Sequence, residues 1–168
     1  MLTRTPKRTE LLPLFLGQPL AMTVLMLVVA LALTVLTGVG QFAWNLFHPG
    51  GTTSFLPTQD VVVAAVCFGI ALGIFNIAGD SAEMDTVLER RTPSIATYLL
   101  VDLSLTFVQG ALYSLVKDTY LTQYVGAFEL SLLGTLLVAI VEIRVLQWHF
   151  HNCLKDADAM HKHLATQT

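Results

Sequence analysis

TPSIATYLLVDLSLTFVQGALYSLV, residues 92–116, lies between Arg91 and Lys117 and carries a single charge, Asp102, in 25 residues. A helix turns about 100° per residue, so Tyr98, Asp102, Thr106, Gln109, Tyr113 and Lys117 fall in one narrow arc. The segment is apolar enough to cross a bilayer, yet a polar stripe runs along its length. An ionisable group at membrane depth costs a few kcal/mol even on lenient scales and persists only against protein, water or an ion. The stripe is therefore the first place to look for function.

The rest of the chain follows the same pattern. Of its 168 residues, 54% are hydrophobic and 12% charged, and the mean hydropathy is +0.66, against about 25% charged in soluble domains. No charge occurs between Glu10 and Asp60 or between Asp60 and Asp80, and only Glu129 lies between Asp118 and Glu142. Together these gaps define four spans, at 19–47, 61–78, 95–116 and 124–147, each near the ~20 residues that a hydrocarbon core requires. The expectation is an all-α polytopic membrane protein, four transmembrane helices in an antiparallel bundle. A basic tip and interfacial segment (1–18) precedes the membrane domain (19–147), and a helical tail (148–168) follows it. The first apolar run is too long for a secretory leader, and three more spans follow it.

Basic residues set the orientation. Arg4, Lys7 and Arg8 precede the first span, Arg90 and Arg91 lie between the second and third, and Arg144, Lys155 and Lys162 attend the end of the fourth. The connection 48–59 has none. By the positive-inside rule both termini are expected in the cytoplasm, in a membrane of the bacterial inner (plasma) membrane type. Cys67 and Cys153 fall at different levels, so no disulfide is expected, and the absence of a C-x-x-C pair excludes a thiol redox motif. Nothing resembles a basic, aromatic nucleic-acid patch.

Small and polar residues recur on one face of every span. The first aligns Thr23, Ala30, Thr34, Thr37, Gln41, Asn45 and His48. The second aligns Ala65, Gly69, Gly73, Asn76 and Asp80, and the fourth aligns Ala127, Ser131, Thr135, Ala139 and Glu142. Small residues in register let helices approach closely in lipid. These faces are expected to point inward, with Ala65, Gly69, Gly73, Ala127, Ser131 and Thr135 serving packing. Arg144 points away from Glu142, and its long side chain can snorkel to head groups.

Four groups of residues invite a chemical reading. Asp102, Glu142, Asn76 and Asp80 are expected to form an inward proton or cation site, because an inward carboxylate without a cation at its depth must stay protonated, bind a cation or pass a proton. Thr34, Gln41, Asn45, Thr106, Gln109 and Tyr113 would extend it as a polar path. In the tail, His149, Cys153, His151, His161 and His163 are metal-ligand types, but they lack a second Cys and a fixed loop, so no metal or other cofactor is expected. Asp80, Glu83, Asp85, Glu89, Arg90 and Arg91 could hold Mg²⁺ over a lipid phosphate, yet they match no metal motif. No His lies within a span to bind haem, and no Ser/His/Asp set or phosphate loop is present.

These observations lead to a small oligomeric channel or transporter passing protons or small cations along a polar helix face. The alternative is a non-catalytic subunit of a larger membrane complex, whose stripes dock to partner helices. A lipid-modifying enzyme is a second alternative. The expected partners are membrane lipid and either further copies of the chain or other membrane subunits.

Overall fold

The structure, a computed structural model, describes residues 8–48 and 50–166, with side chains described from Leu16 onward. The basic tip at Arg4 and Lys7 lies outside the described residues. Four helices follow in order: α1 (Arg8–Phe47), α2 (Gln59–Val87), α3 (Ile95–Val116) and α4 (Ala127–Thr166), with a 3₁₀ turn at Tyr120–Gln123 before α4. No strand occurs among the described residues. Three helical segments, Leu16–Phe47, Gln59–Val87 and Ile95–Val116, are long and apolar enough to cross a membrane, which makes this an integral membrane protein.

Burial follows membrane rules. The largest fully buried side chains are only Thr97, Ser104 and Ser131, and the core is rich in alanine: Ala64, Ala65, Ala71, Ala78, Ala82 and Ala111. Large apolar residues such as Leu25, Leu36, Leu99, Leu137 and Ile140 face outward. In lipid no hydrophobic drive operates between helices, so close approach of small side chains supplies the packing.

The helices pack antiparallel in chain order, with α2 touching α1, α3 and α4, and α3 also touching α4. Gly69 and Gly73 are buried against the α1 backbone at Thr23 and Pro19, where a Cβ would collide. Between α2 and α3 the register is fixed by Ser81 Oγ to Thr97 Oγ1 (2.9 Å), Ser104 Oγ to Ala71 O (3.0 Å) and Lys117 Nζ to Asp60 Oδ1 (2.6 Å). Asp60 stands in the first turn of α2 and Lys117 caps the end of α3. Each charge thus opposes its own helix dipole as well as the other charge. The hydrogen bond to Asp60 is the main cause that pushes the Lys117 amine above its ordinary range. Between α3 and α4, Gly134 meets Leu112 and Glu142 meets Ser104.

Two boundaries differ from the sequence reading. α1 runs without a break from Arg8 past Pro19, so nothing in the helix marks the division at 18. At ~1.5 Å per residue the 32 residues of Leu16–Phe47 reach about 48 Å, well beyond the ~30 Å hydrocarbon core. α2 continues past 78 to Val87, where the sequence reading had placed a connection. The cause is packing: Ala78 and Ala82 are wholly buried with Val101, Leu146 and Phe150, so α4, extended well past 147, covers the lengthened α2.

α2 closes in a Schellman motif, with Glu89 N–H bonded to Thr86 O (3.0 Å) and Arg90 N–H to Asp85 O (2.9 Å). Glu89 takes φ 58°, the left-handed position where glycine is usual. Replacing Glu89 by Gly should therefore raise stability by about 1 kcal/mol. Thermal unfolding in detergent would register this as a higher midpoint, and a lower one would mean that the Glu89 side chain matters more than its backbone.

Candidate functional site

The face of α3 that enters the bundle is Thr97, Val101, Ser104, Val108 and Ala111, all buried. Asp102 lies on the opposite side and is exposed, as are Tyr98, Thr106 and Tyr113, while Gln109 is half-buried. The expected inward orientation of Asp102 is thus corrected. A helix has one buried face here, and the small residues of α3 occupy it. Thr106 Oγ1 bonds back to the Asp102 carbonyl (3.1 Å), but the Asp102 carboxylate has no partner among the described residues.

Glu142 does face inward and is buried at 8% exposure. Its neighbour is Ser104, not Asp102: Ser104 Oγ lies 3.1 Å from Glu142 Oε1 and 3.0 Å from Ala71 O. Serine has one hydroxyl hydrogen. Both contacts are hydrogen bonds at once when Glu142 carries a proton, donating to Ser104, which in turn donates to Ala71. No cation stands against Glu142, and its Oε2 has no hydrogen-bond partner among the described residues. Glu142 therefore reads as a neutral acid tying α4 to α3 and α2. Glu142→Gln, which can donate in the same direction, should change stability by less than about 1 kcal/mol. Glu142→Ala should lower it by about 2 kcal/mol by removing the buried hydrogen bond that links α4 to Ser104 and leaving the space of the side chain unfilled. Equal losses in detergent unfolding would contradict the protonated assignment.

Asn76 and Asp80 are exposed, a second correction to the inward set. They line a groove of about 440 Å³ between α1, α2 and α4 with Gln18, Phe75, Trp148 and His149. Gln18 Nε2 donates to Asp80 Oδ2 (3.0 Å) across it. Asp102, Glu142 and the Asn76/Asp80 pair thus occupy separate places, and no single cluster forms. The polar path is also dispersed. Thr34 Oγ1 donates to Ala30 O (2.8 Å) and Asn45 Nδ2 to Gly51 O (3.1 Å), while Gln41 and Tyr113 are exposed. Among the described residues no hydrogen bond joins one member of the path to another. Of the expected packing residues, Ala65, Gly69, Gly73, Ser131 and Thr135 are buried and Ala127 is half-buried.

The most connected polar group is one for which sequence reading assigned no structural role. Asp85, 3% exposed, accepts from Ser94 N–H (2.6 Å) and Thr97 Oγ1 (3.5 Å) through Oδ2, and from Arg90 through Oδ1 (3.2 Å). Ser81 and Ser94 both bond Thr97 Oγ1, at 2.9 and 3.1 Å. A carboxylate on the N–H of Ser94, the residue that caps the start of α3, satisfies a donor there and opposes the helix dipole. The group closes the α2–α3 connection and exposes no reactive atom. Its only sequence signal was Thr92-Pro93-Ser94, a helix start in need of a capping acceptor.

In the tail, Cys153 Sγ lies 3.7 Å from His149 Nε2. Burial first, then the charges of Glu83 and Asp156, push the Cys153 thiol up, away from the reactive thiolate. No group of three or more metal-ligating side chains occurs among the described residues. No protein-family model, curated protein or solved structure matches the chain, so any functional reading rests on its own residues.

Proposed function

We propose that this chain is a four-span membrane protein that works as a subunit of a larger membrane assembly, with the α3 stripe covered by another transmembrane helix. The single observation that carries this is the Asp102 carboxylate, exposed and unpartnered on a membrane-crossing helix. A carboxylate in lipid is costly, and a helix docked over it removes that cost. Tyr98, Thr106 and Tyr113 on the same face supply hydrogen-bonding groups for the contact. The fourth span is supported by register: Gly134 and Glu142 of α4 lie beside Leu112 and Ser104 of α3, so 134–142 runs at the depth of a membrane-crossing helix. The basic residues Arg90, Arg91, Lys155 and Lys162 support a cytoplasmic location for the α2–α3 connection and the tail.

Mass measurement after gentle extraction into lipid nanodiscs tests the assembly. A particle holding several chains, or this chain with fixed partners, is expected, and a lone monomer would overturn the proposal.

Transport remains a second reading because the stripe continues past Asp102 through Thr106, Gln109 and Tyr113, which would line a seam between subunits. It predicts proton or cation flux in reconstituted vesicles under a pH gradient, lost in Asp102→Asn. Absence of flux from the wild type would end it and leave the assembly standing.

A further inference from the structure

The register between α3 and α4 places a second unpaired charge at the depth of Asp102. These helices run antiparallel, with Leu112 beside Gly134 and Ser104 beside Glu142. Two residues further on, Asp102 is level with Arg144. Arg144 is exposed and stands about 160° round the helix from both Glu142 and Leu146, the buried residues two places either side. Like Asp102, it has no hydrogen bond or ion pair among the described residues. One turn nearer the α2–α3 connection the two helices carry Tyr98 and Trp148, exposed at 48% and 67%. Such aromatics settle at the membrane interface. Asp102 and Arg144 therefore lie about 6 Å inside that belt by helical rise. Arginine can snorkel from there, but the short aspartate cannot reach as far.

We infer that the occupant of the α3 stripe is a second copy of this chain, whose Arg144 pairs with Asp102. This rests on the assembly reading above and names its partner. Copies of one chain insert with one orientation, so residues level within a protomer are level between neighbours as well. Asp102 and Arg144 leave the bundle from different helices and do not meet within one chain. In a neighbour turned about the membrane normal, the α4 face of Leu137, Ile140, Arg144 and Trp148 can lie on the α3 face of Tyr98, Asp102, Thr106 and Tyr113. Opposite charges then meet with both helices in lipid, and the contact uses the α3 face of one protomer and the α4 face of the other, so the pair keeps one unused face of each kind. Such a heterologous contact repeats from copy to copy and forms a ring when its rotation about the membrane normal closes.

The test uses the full chain carrying Cys67→Ser and Cys153→Ser. Chains with Asp102→Cys and separately tagged chains with Arg144→Cys are co-expressed and oxidised in the membrane. Mixed dimers linked 102 to 144 are expected, with little linkage when either variant is expressed alone. In otherwise native chains, Asp102→Arg or Arg144→Asp should weaken self-association on the order of tenfold or more, and the double exchange should restore it. An intact oligomer that forms no 102–144 link, links 102 to 102, or is indifferent to both reversals overturns this inference while leaving the assembly in place. Linkage of position 102 to a foreign chain does the same. A monomeric particle overturns both.

Discussion

Gly73→Leu should detach α1 from α2, with a stability loss of about 3 kcal/mol and a protein that unfolds in two steps instead of one. Even the Cβ of alanine would strike the α1 backbone at Pro19, and a leucine would have to displace a whole turn. Backbone cannot step aside as a flexible side chain can. Gly69→Leu meets Thr23 in the same way. Leu72, between the two glycines and 41% exposed, is the control, since its conservative replacement should cost under about 0.5 kcal/mol. Detergent unfolding followed by circular dichroism, with limited proteolysis of the 48–58 connection as a reporter of α1 release, measures both effects. Equal tolerance at the three positions would mean that α1 is held by something other than the glycine seam.

Asp85→Ala should lower stability by about 2–3 kcal/mol, made up of a lost helix cap and a stranded charge-assisted hydrogen bond. Asp85→Asn should recover about half, because the amide oxygen can still accept from Ser94 N–H while the ion pair to Arg90 is lost. Arg90→Ala alone should cost little, since that side chain is 55% exposed and surface pairs contribute at most about 1 kcal/mol. The order Ala worse than Asn, and Asn worse than the Arg90 variant, is the discriminating outcome. If Arg90→Ala matched Asp85→Ala, the ion pair and not the cap would hold the connection.

The positions of three membrane-crossing helices, and the small faces of α2 and α4, were legible because gaps in charge and the spacing of small residues are local properties. Orientation of α3 was not legible from polarity. Helical spacing identifies which residues share an arc, but two arcs competed: Tyr98, Asp102, Thr106 and Tyr113 on one side, and Thr97, Val101, Ser104, Val108 and Ala111 on the other. In lipid the close-packing arc wins, since Ser104 and Ala111 let α2 and α4 approach and tyrosines do not. The size rule that aligned Gly69 with Gly73 would have selected the correct face. The pairing of Glu142 with Ser104, and of Asp85 with the start of α3, depends on the relative slide of helices. No spacing within one helix encodes it.

The packing order also carries a consequence for biogenesis. α1 is apolar on most of its circumference and touches little besides α2, α2 pairs with α3, and α3 pairs with α4. During synthesis, which proceeds from the N-terminus, each later helix is thus made directly after one that it will pack on. α1 is able to wait alone in lipid, as its backbone is internally satisfied. Only α4 arrives to two established neighbours, bringing Glu142 into a site that Ser104 and Ala71 have already formed. Truncation after α3 should leave a helical hairpin with α1 attached but with Ser104 open to lipid, a species that membrane quality control can distinguish from the finished bundle by one uncovered hydroxyl.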